Sequence, residues 1–107
     1  MMNNEKYGLP VSYTATHATL AVATTVADAD IQPVISTVSV SSDKAGSILL
    51  IKDDTAIIWQ TQVGAGNLTF SFPEGLFGTR GETISVEIDG TAACKANMTV
   101  VRVQYFD

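Results

Sequence analysis

The chain has one cysteine, Cys94, in 107 residues. No internal disulfide can form, so the fold has to hold by burial. In "TAACKAN" no second cysteine or nearby histidine completes a metal site, and a buried or half-buried free thiol is the expected state. Charge is equally scarce: 6 basic and 11 acidic residues give 16% charged and a net charge of -5. The basic side chains Lys6, Lys44, Lys52, Arg80, Lys95 and Arg102 are dispersed, which argues against nucleic-acid binding through phosphate contacts. No apolar run approaches the roughly 18 residues that span a bilayer, and "MMNNEKYGLP" has no apolar signal-peptide core. The expectation is a protein without membrane contact that is not secreted by the general route.

Catalytic constellations are missing as well. The single His17 would have to serve every serine as base, and no G-x-S-x-G elbow occurs. The carboxylate pairs Asp28/Asp30 and Asp53/Asp54 sit in short turns, where Asp is favoured for its backbone hydrogen bonds, and "DADIQ" and "DDTAI" lack the ligand sets of calcium loops. "GAGN" has no following helix or lysine and is not a phosphate loop. The Asn-x-Thr triplets at Asn67 and Asn97 matter only in a eukaryotic secretory setting. The reading is a protein that is not an enzyme and takes no cofactor or metal.

What is present is β-forming sequence. Apolar residues make up 46% of the chain, and β-branched residues with small polar partners dominate. Alternation in "PVISTVSVSSD" predicts a half-buried strand with Val38 and Val40 inward. A turn at residues 44–46 leads to "SILLIKDD", with Ile48 and Leu50 on one face, and "DDT" turns the chain into "AIIWQTQV". These three runs are expected to form an antiparallel meander. In the third, Ile57, Trp59, Thr61 and Val63 share one face and Ile58, Gln60 and Gln62 the other. Trp59 is expected to pack in the core, the alternatives being an interface anchor or a sugar-stacking platform.

"LTFSF" adds Leu68, Phe70 and Phe72 in alternation. "PEGLFGTRGE" then carries too many breakers for an element and predicts a long loop, whose Leu76 and Phe77 either fold back under the sandwich or touch a neighbour. "ETISVEIDG" places Ile84, Val86 and Ile88 together before an Asp89-Gly90 turn, and "CKANMTVVRVQYF" closes the sheet with Val101 and Val103 assigned to the core. Thr37, Ser39, Val40 and Asp43 recur in spacing at Thr83, Ser85, Val86 and Asp89, two similar strand-to-turn units. A further strand is expected over residues 20–26.

Length allows one sheet-on-sheet domain. The division expected is an N-terminal arm, residues 1–18, and a β-sandwich domain, residues 19–107, of about eight strands. Tyr7, Leu9, Val11 and Tyr13 alternate as an added strand would, so the arm is read as an attachment segment, with the domain's own first strand as the alternative. Together with Leu76 and Phe77 they are the candidate interface residues.

"SVSSDKAGSILLIKDDTAIIW", followed by a Gly-rich turn, an F-x-F strand ending in Pro-Glu-Gly, and "GETISVEIDG" before an Asn in the last hairpin, resembles a pattern of small virion proteins of tailed bacteriophages. The likeness covers residues 31–105. It implies a jelly-roll β-sandwich that decorates or cements a capsid, often as a homotrimer, with the major capsid protein as partner. Such a protein is made in the host cytoplasm and resides on the capsid surface. The alternative it implies is a small tail or fibre domain, or a receptor- or carbohydrate-binding virion module.

Overall fold

The computed structural model describes residues 5–106. Residues 1–4 of the expected arm, and Asp107, lie outside the described residues. The protein is all-β: β1 (Glu5–Tyr7), β2 (Val11–His17), β3 (Leu20–Thr24), β4 (Ile31–Ser42), β5 (Ile48–Asp53), β6 (Ala56–Gln62), β7 (Gly66–Phe77), β8 (Ile84–Asp89) and β9 (Cys94–Tyr105). Among the described residues there is no helix.

The chain is folded in half at the β5–β6 turn, where Asp54 takes a left-handed conformation (φ 56°) that Asp tolerates better than most side chains. Each strand before that turn pairs antiparallel with its mirror strand after it: β5 with β6, β4 with β7, β3 with β8, and β1 and β2 with β9. Rolling this long hairpin up adds the β4–β9 and β5–β8 ladders. The result is two packed antiparallel sheets, β1/β2-β9-β4-β7 and β3-β8-β5-β6. This is jelly-roll wiring.

Two aliphatic faces meet between the sheets. Ile35, Val38, Met98 and Val100 come from the first sheet and Leu49, Ile51, Ile84, Val86 and Ile88 from the second, all fully buried. Each such side chain contributes about 1.5–3 kcal/mol of transfer free energy. Val40 and Val103 are buried as expected. Trp59, Phe70 and Phe72 are half-buried and pack against the cluster.

The expected meander is corrected. β5 and β6 form a hairpin, but β4 lies in the other sheet, because Val38 and Val40 must face Leu49 and Ile51 across the core and cannot do so from within one sheet. The face of β5 is also reversed: Leu49 and Ile51 are buried, Leu50 is half-buried on the outer side, and Ile48 is exposed. Residues 48–51 are all apolar, so their alternation carries no sign. The β8 ladder, Leu49 against Ile88 and Ile51 against Val86, supplies it.

A bulge where the register shifts after Ile51 leaves Ile58 without an opposite residue. It turns Ile57 outward, 52% exposed, while Ile58 packs on the core beside Trp59. The expected loop at residues 73–82 is likewise corrected. β7 runs on to Phe77, with Ser71 opposite Thr37 and Leu76 opposite Ile35, so that residues 72–75 form an excursion within the strand. Gly75 makes it possible: its φ is 79°, and a Cβ there would lie 2.5 Å from Val34 Cγ1. Val101 is half-buried on the outer face rather than in the core. β3 ends at Thr24, where the Thr25 hydroxyl takes over by accepting the Ile84 N–H at 2.9 Å.

β4, β7 and β9 have 12 residues each, whereas the strands of the second sheet have 5 to 7. The first sheet therefore overhangs the second, which is why the molecule measures 51 × 23 × 21 Å.

Candidate binding surface

The overhang collects most of the candidate interface residues. Tyr7 pairs with Val103 and is 59% exposed; Phe77 pairs with Val34 and is 49% exposed. Both line a depression of about 310 Å³ with Val101, Phe72 and Pro73. Leu9, 87% exposed, and Val11 line a second depression of about 360 Å³ with Ile31, Arg102 and Gln104. Tyr13 and Leu76 are half-buried and pack against the core. The six thus do not form one stripe. Between Tyr7 opposite Val103 and Val11 opposite Val100, the N-terminal segment has one residue more than β9, and this extra residue at Gly8–Pro10 exchanges the faces. Residues 5–7 and 11–17 pair with β9 of the same chain.

The base of the overhang is tied down by polar contacts. The Arg80 guanidinium lies 4.7 Å above the Tyr105 ring, and its Nε donates to the Ala29 carbonyl at 3.0 Å. Arg80 also pairs with Asp30 at 3.3 Å, and the Tyr105 hydroxyl bonds Gln32 Oε1 at 2.6 Å.

The outer face of the first sheet has a different character. Its middle row reads Thr14, Asn97, Ser39, Thr69 across four strands, with Asn97 Nδ2 donating to Thr14 Oγ1 at 2.5 Å and the Ser39 and Thr69 hydroxyls 3.1 Å apart. The rows on either side are Ser12, Thr99, Thr37, Ser71 and Thr16, Lys95, Ser41, Asn67. Rows about 7 Å apart on strands about 4.8 Å apart make a hydroxyl and amide grid, indented by a depression of about 260 Å³ between Ser39, Asn67, Lys95 and Asn97, and Lys95 is its one charge. Sequence reasoning had each strand's alternation but treated the polar positions only as the outward side. Their assembly into one face needs the strand order. Asn67 and Asn97, the first residues of the two Asn-x-Thr triplets, both stand on it.

The opposite end of the molecule carries the chain's one histidine and its one cysteine. His17 and Cys94 are directly opposite in the β2–β9 ladder and border a shallow depression of about 530 Å³ with Asp43 and Lys95. They do not form a reactive pair. The Cys94 thiol, 5% exposed, donates to the His17 carbonyl at 3.2 Å, and His17 Nδ1 accepts the Thr19 and Leu20 N–H groups at 3.1 and 3.2 Å. The imidazole caps the β2–β3 corner. Among the described residues no three His, Cys, Asp or Glu side chains come close enough to hold a metal ion.

The two recurring strand-to-turn units close on each other here. Asp43, after β4, accepts the N–H groups of Thr91 and Ala92 in the β8–β9 loop, at 2.8 and 2.9 Å. Asp89, at the end of β8, accepts Ile48 N–H at 2.9 Å and pairs with Lys44 at 2.5 Å in the β4–β5 segment. Each carboxylate therefore caps the other's loop. Thr91 N–H, with Ala93 and Ala92, holds Asp43 below the ordinary carboxylate value of 3.8 against the opposing effect of desolvation. Lys44, with Ile48 N–H, does the same for Asp89.

Comparison with protein-family models gave no match, and comparison with curated proteins gave no relative.

Proposed function

We propose that the protein is a capsid decoration, or cement, protein of a tailed bacteriophage, binding the major capsid protein of the assembled head and stabilising the lattice without catalysis. The observation that carries this reading is the overhang, where Tyr7, Leu9 and Phe77 stand 59%, 87% and 49% exposed. Large apolar side chains gathered on a protruding tip suit docking onto a protein surface. The jelly roll supports it, since that architecture recurs in viral capsid domains, although fold alone does not assign a role. Binding the assembled shell in preference to free subunits would add to shell stability by linkage. Self-association would multiply weak contacts into avidity, and the trimer implied by the likeness is one form of it.

The test is co-sedimentation with purified heads. Wild-type protein is expected to bind and to raise the temperature at which heads rupture. Tyr7→Ser and Phe77→Ser are expected to weaken binding by about tenfold or more, a loss of about 1.4 kcal/mol or more, with their own melting temperatures little changed. Unchanged head binding by both variants would remove the basis of the proposal.

One observation favours the second reading, a tail, fibre or receptor- or carbohydrate-binding virion module. Apart from Lys95, the hydroxyl and amide grid offers neutral hydrogen-bonding groups around a shallow depression. It lacks an aromatic platform, since Trp59 is engaged elsewhere. Binding on a panel of neutral glycans that is lost in Asn97→Ala would select this reading.

A further inference from the structure

The two outer strands β6 and β7 lie on the same flank, and each ends its sheet among the described residues. From Thr55 to Pro73 the sequence contains no charged side chain, in a chain with 17 of them. Free sheet edges are ordinarily blunted by charge, proline or shortness, because their unpaired amides and carbonyls are templates for another strand. β6 has seven residues, no charge and no proline, and of the usual edge protections keeps only the bulge at Ile58. The flank is also left partly apolar. Trp59 meets Phe70 and Phe72 edge-on at 5.2 and 5.4 Å, and the three rings, half-buried, bridge the opening between the sheets. On the same two strands Ile57 and Leu68 are 52% and 43% exposed. The opposite flank differs: β3 has only five residues, and β2 passes into it through the His17-capped corner.

We infer that two copies of this chain associate through this flank about a twofold axis, with β6 pairing antiparallel to β6 of the second copy and joining the two four-stranded sheets into one of eight. An isologous contact requires a surface that complements itself. In a protein of net charge -5 the uncharged flank is where copies meet without opposing carboxylates. Aromatic rings beside an open edge are the side chains that interface cores favour. A threefold ring would instead require each copy to present two different surfaces that fit one another. β6 and the first half of β7 give a strip roughly 25 Å long. Across a molecule 21–23 Å wide, the contact is on the order of 1,000 Å² in total, the lower end for a specific interface, so the dimer is expected in the micromolar range. This inference concerns self-association and stands whether or not the partner is a capsid.

Sedimentation velocity across the micromolar range tests it. The expected result is a reversible shift from one chain to two. Ile57→Lys and Gln60→Lys, both at exposed β6 positions, are expected to weaken dimerisation by about tenfold or more. Val22→Lys, exposed on β3, should leave it unchanged. Amide exchange at residues 57–62 should slow as protein concentration rises, and this wild-type readout decides the matter even if a lysine variant fails to fold. A monomer throughout, a trimer mass, protection that does not vary with concentration, or a dimer lost only in Val22→Lys would each overturn the inference. Capture of an extended peptide from another protein by a strictly monomeric chain would overturn it in favour of strand addition.

Discussion

Removing Trp59 tests whether the ring is a structural plug. Its edge-to-face contacts with Phe70 and Phe72, at 5.2 and 5.4 Å, should each be worth about 0.5–1.5 kcal/mol beyond burial. Taking roughly 100 Å² of ring removed from water adds about 2.5 kcal/mol. Trp59→Ala should therefore cost about 4 kcal/mol, within the usual range for truncating a packed aromatic. Against a total of about 5–15 kcal/mol for a domain of this size, the variant should still fold at room temperature but melt about 15 °C lower. The assay is urea unfolding of Trp59→Ala, Phe72→Ala and the double variant in dilute solution, followed by far-ultraviolet circular dichroism because the tryptophan itself is removed. The cycle should return a coupling of about 1 kcal/mol between the two rings. A loss below about 1 kcal/mol for Trp59→Ala, with coupling near zero, would refute the plug and return the ring to a binding role.

Acidification should weaken the fold through the reciprocal caps. Asp43 and Asp89 are both held below 3.8 in the folded protein, so their stabilisation is complete above that value and is lost as pH falls through their lower folded values. Melting temperature should drop below about pH 4, and Asp43→Asn with Asp89→Asn should flatten that dependence; an unchanged profile in the double variant would count against the caps. Thr25→Val keeps the side-chain shape but leaves the Ile84 N–H without its 2.9 Å partner, so unfolding should show a cost of about 1–3 kcal/mol. A neutral result would mean that another group or water satisfies that amide.

How far the sequence could be read depended on whether each strand had one polar side. In "TISVEID" the alternation is clean, and Ile84, Val86 and Ile88 are all fully buried. In "SILLIKDD" four consecutive apolar residues erased the alternation, and the choice of Leu49 and Ile51 over Leu50 came from the β8 register. Pro73, Gly75 and Gly78 suggested a loop because breakers are counted along the chain. The structure instead keeps β7 paired on both sides of a short excursion, since β4 offers a partner to Ser71 and again to Leu76.

The candidate surfaces follow the same division. The sequence by itself determined that the chain is β-rich, held by burial without disulfides, sparing in charge and polar on alternate positions, because these are properties of composition and of a two-residue period. Only the tertiary structure decided that β4 and β5 part into different sheets, that eleven small polar residues and Lys95 from four strands become one grid, and that Tyr7 and Phe77, 70 residues apart, share a tip. Those outcomes depend on long-range pairing, in which each strand's neighbour lies across the fold and a single extra residue, as at Gly8–Pro10 or Ile58, reverses which side of the sheet a side chain occupies.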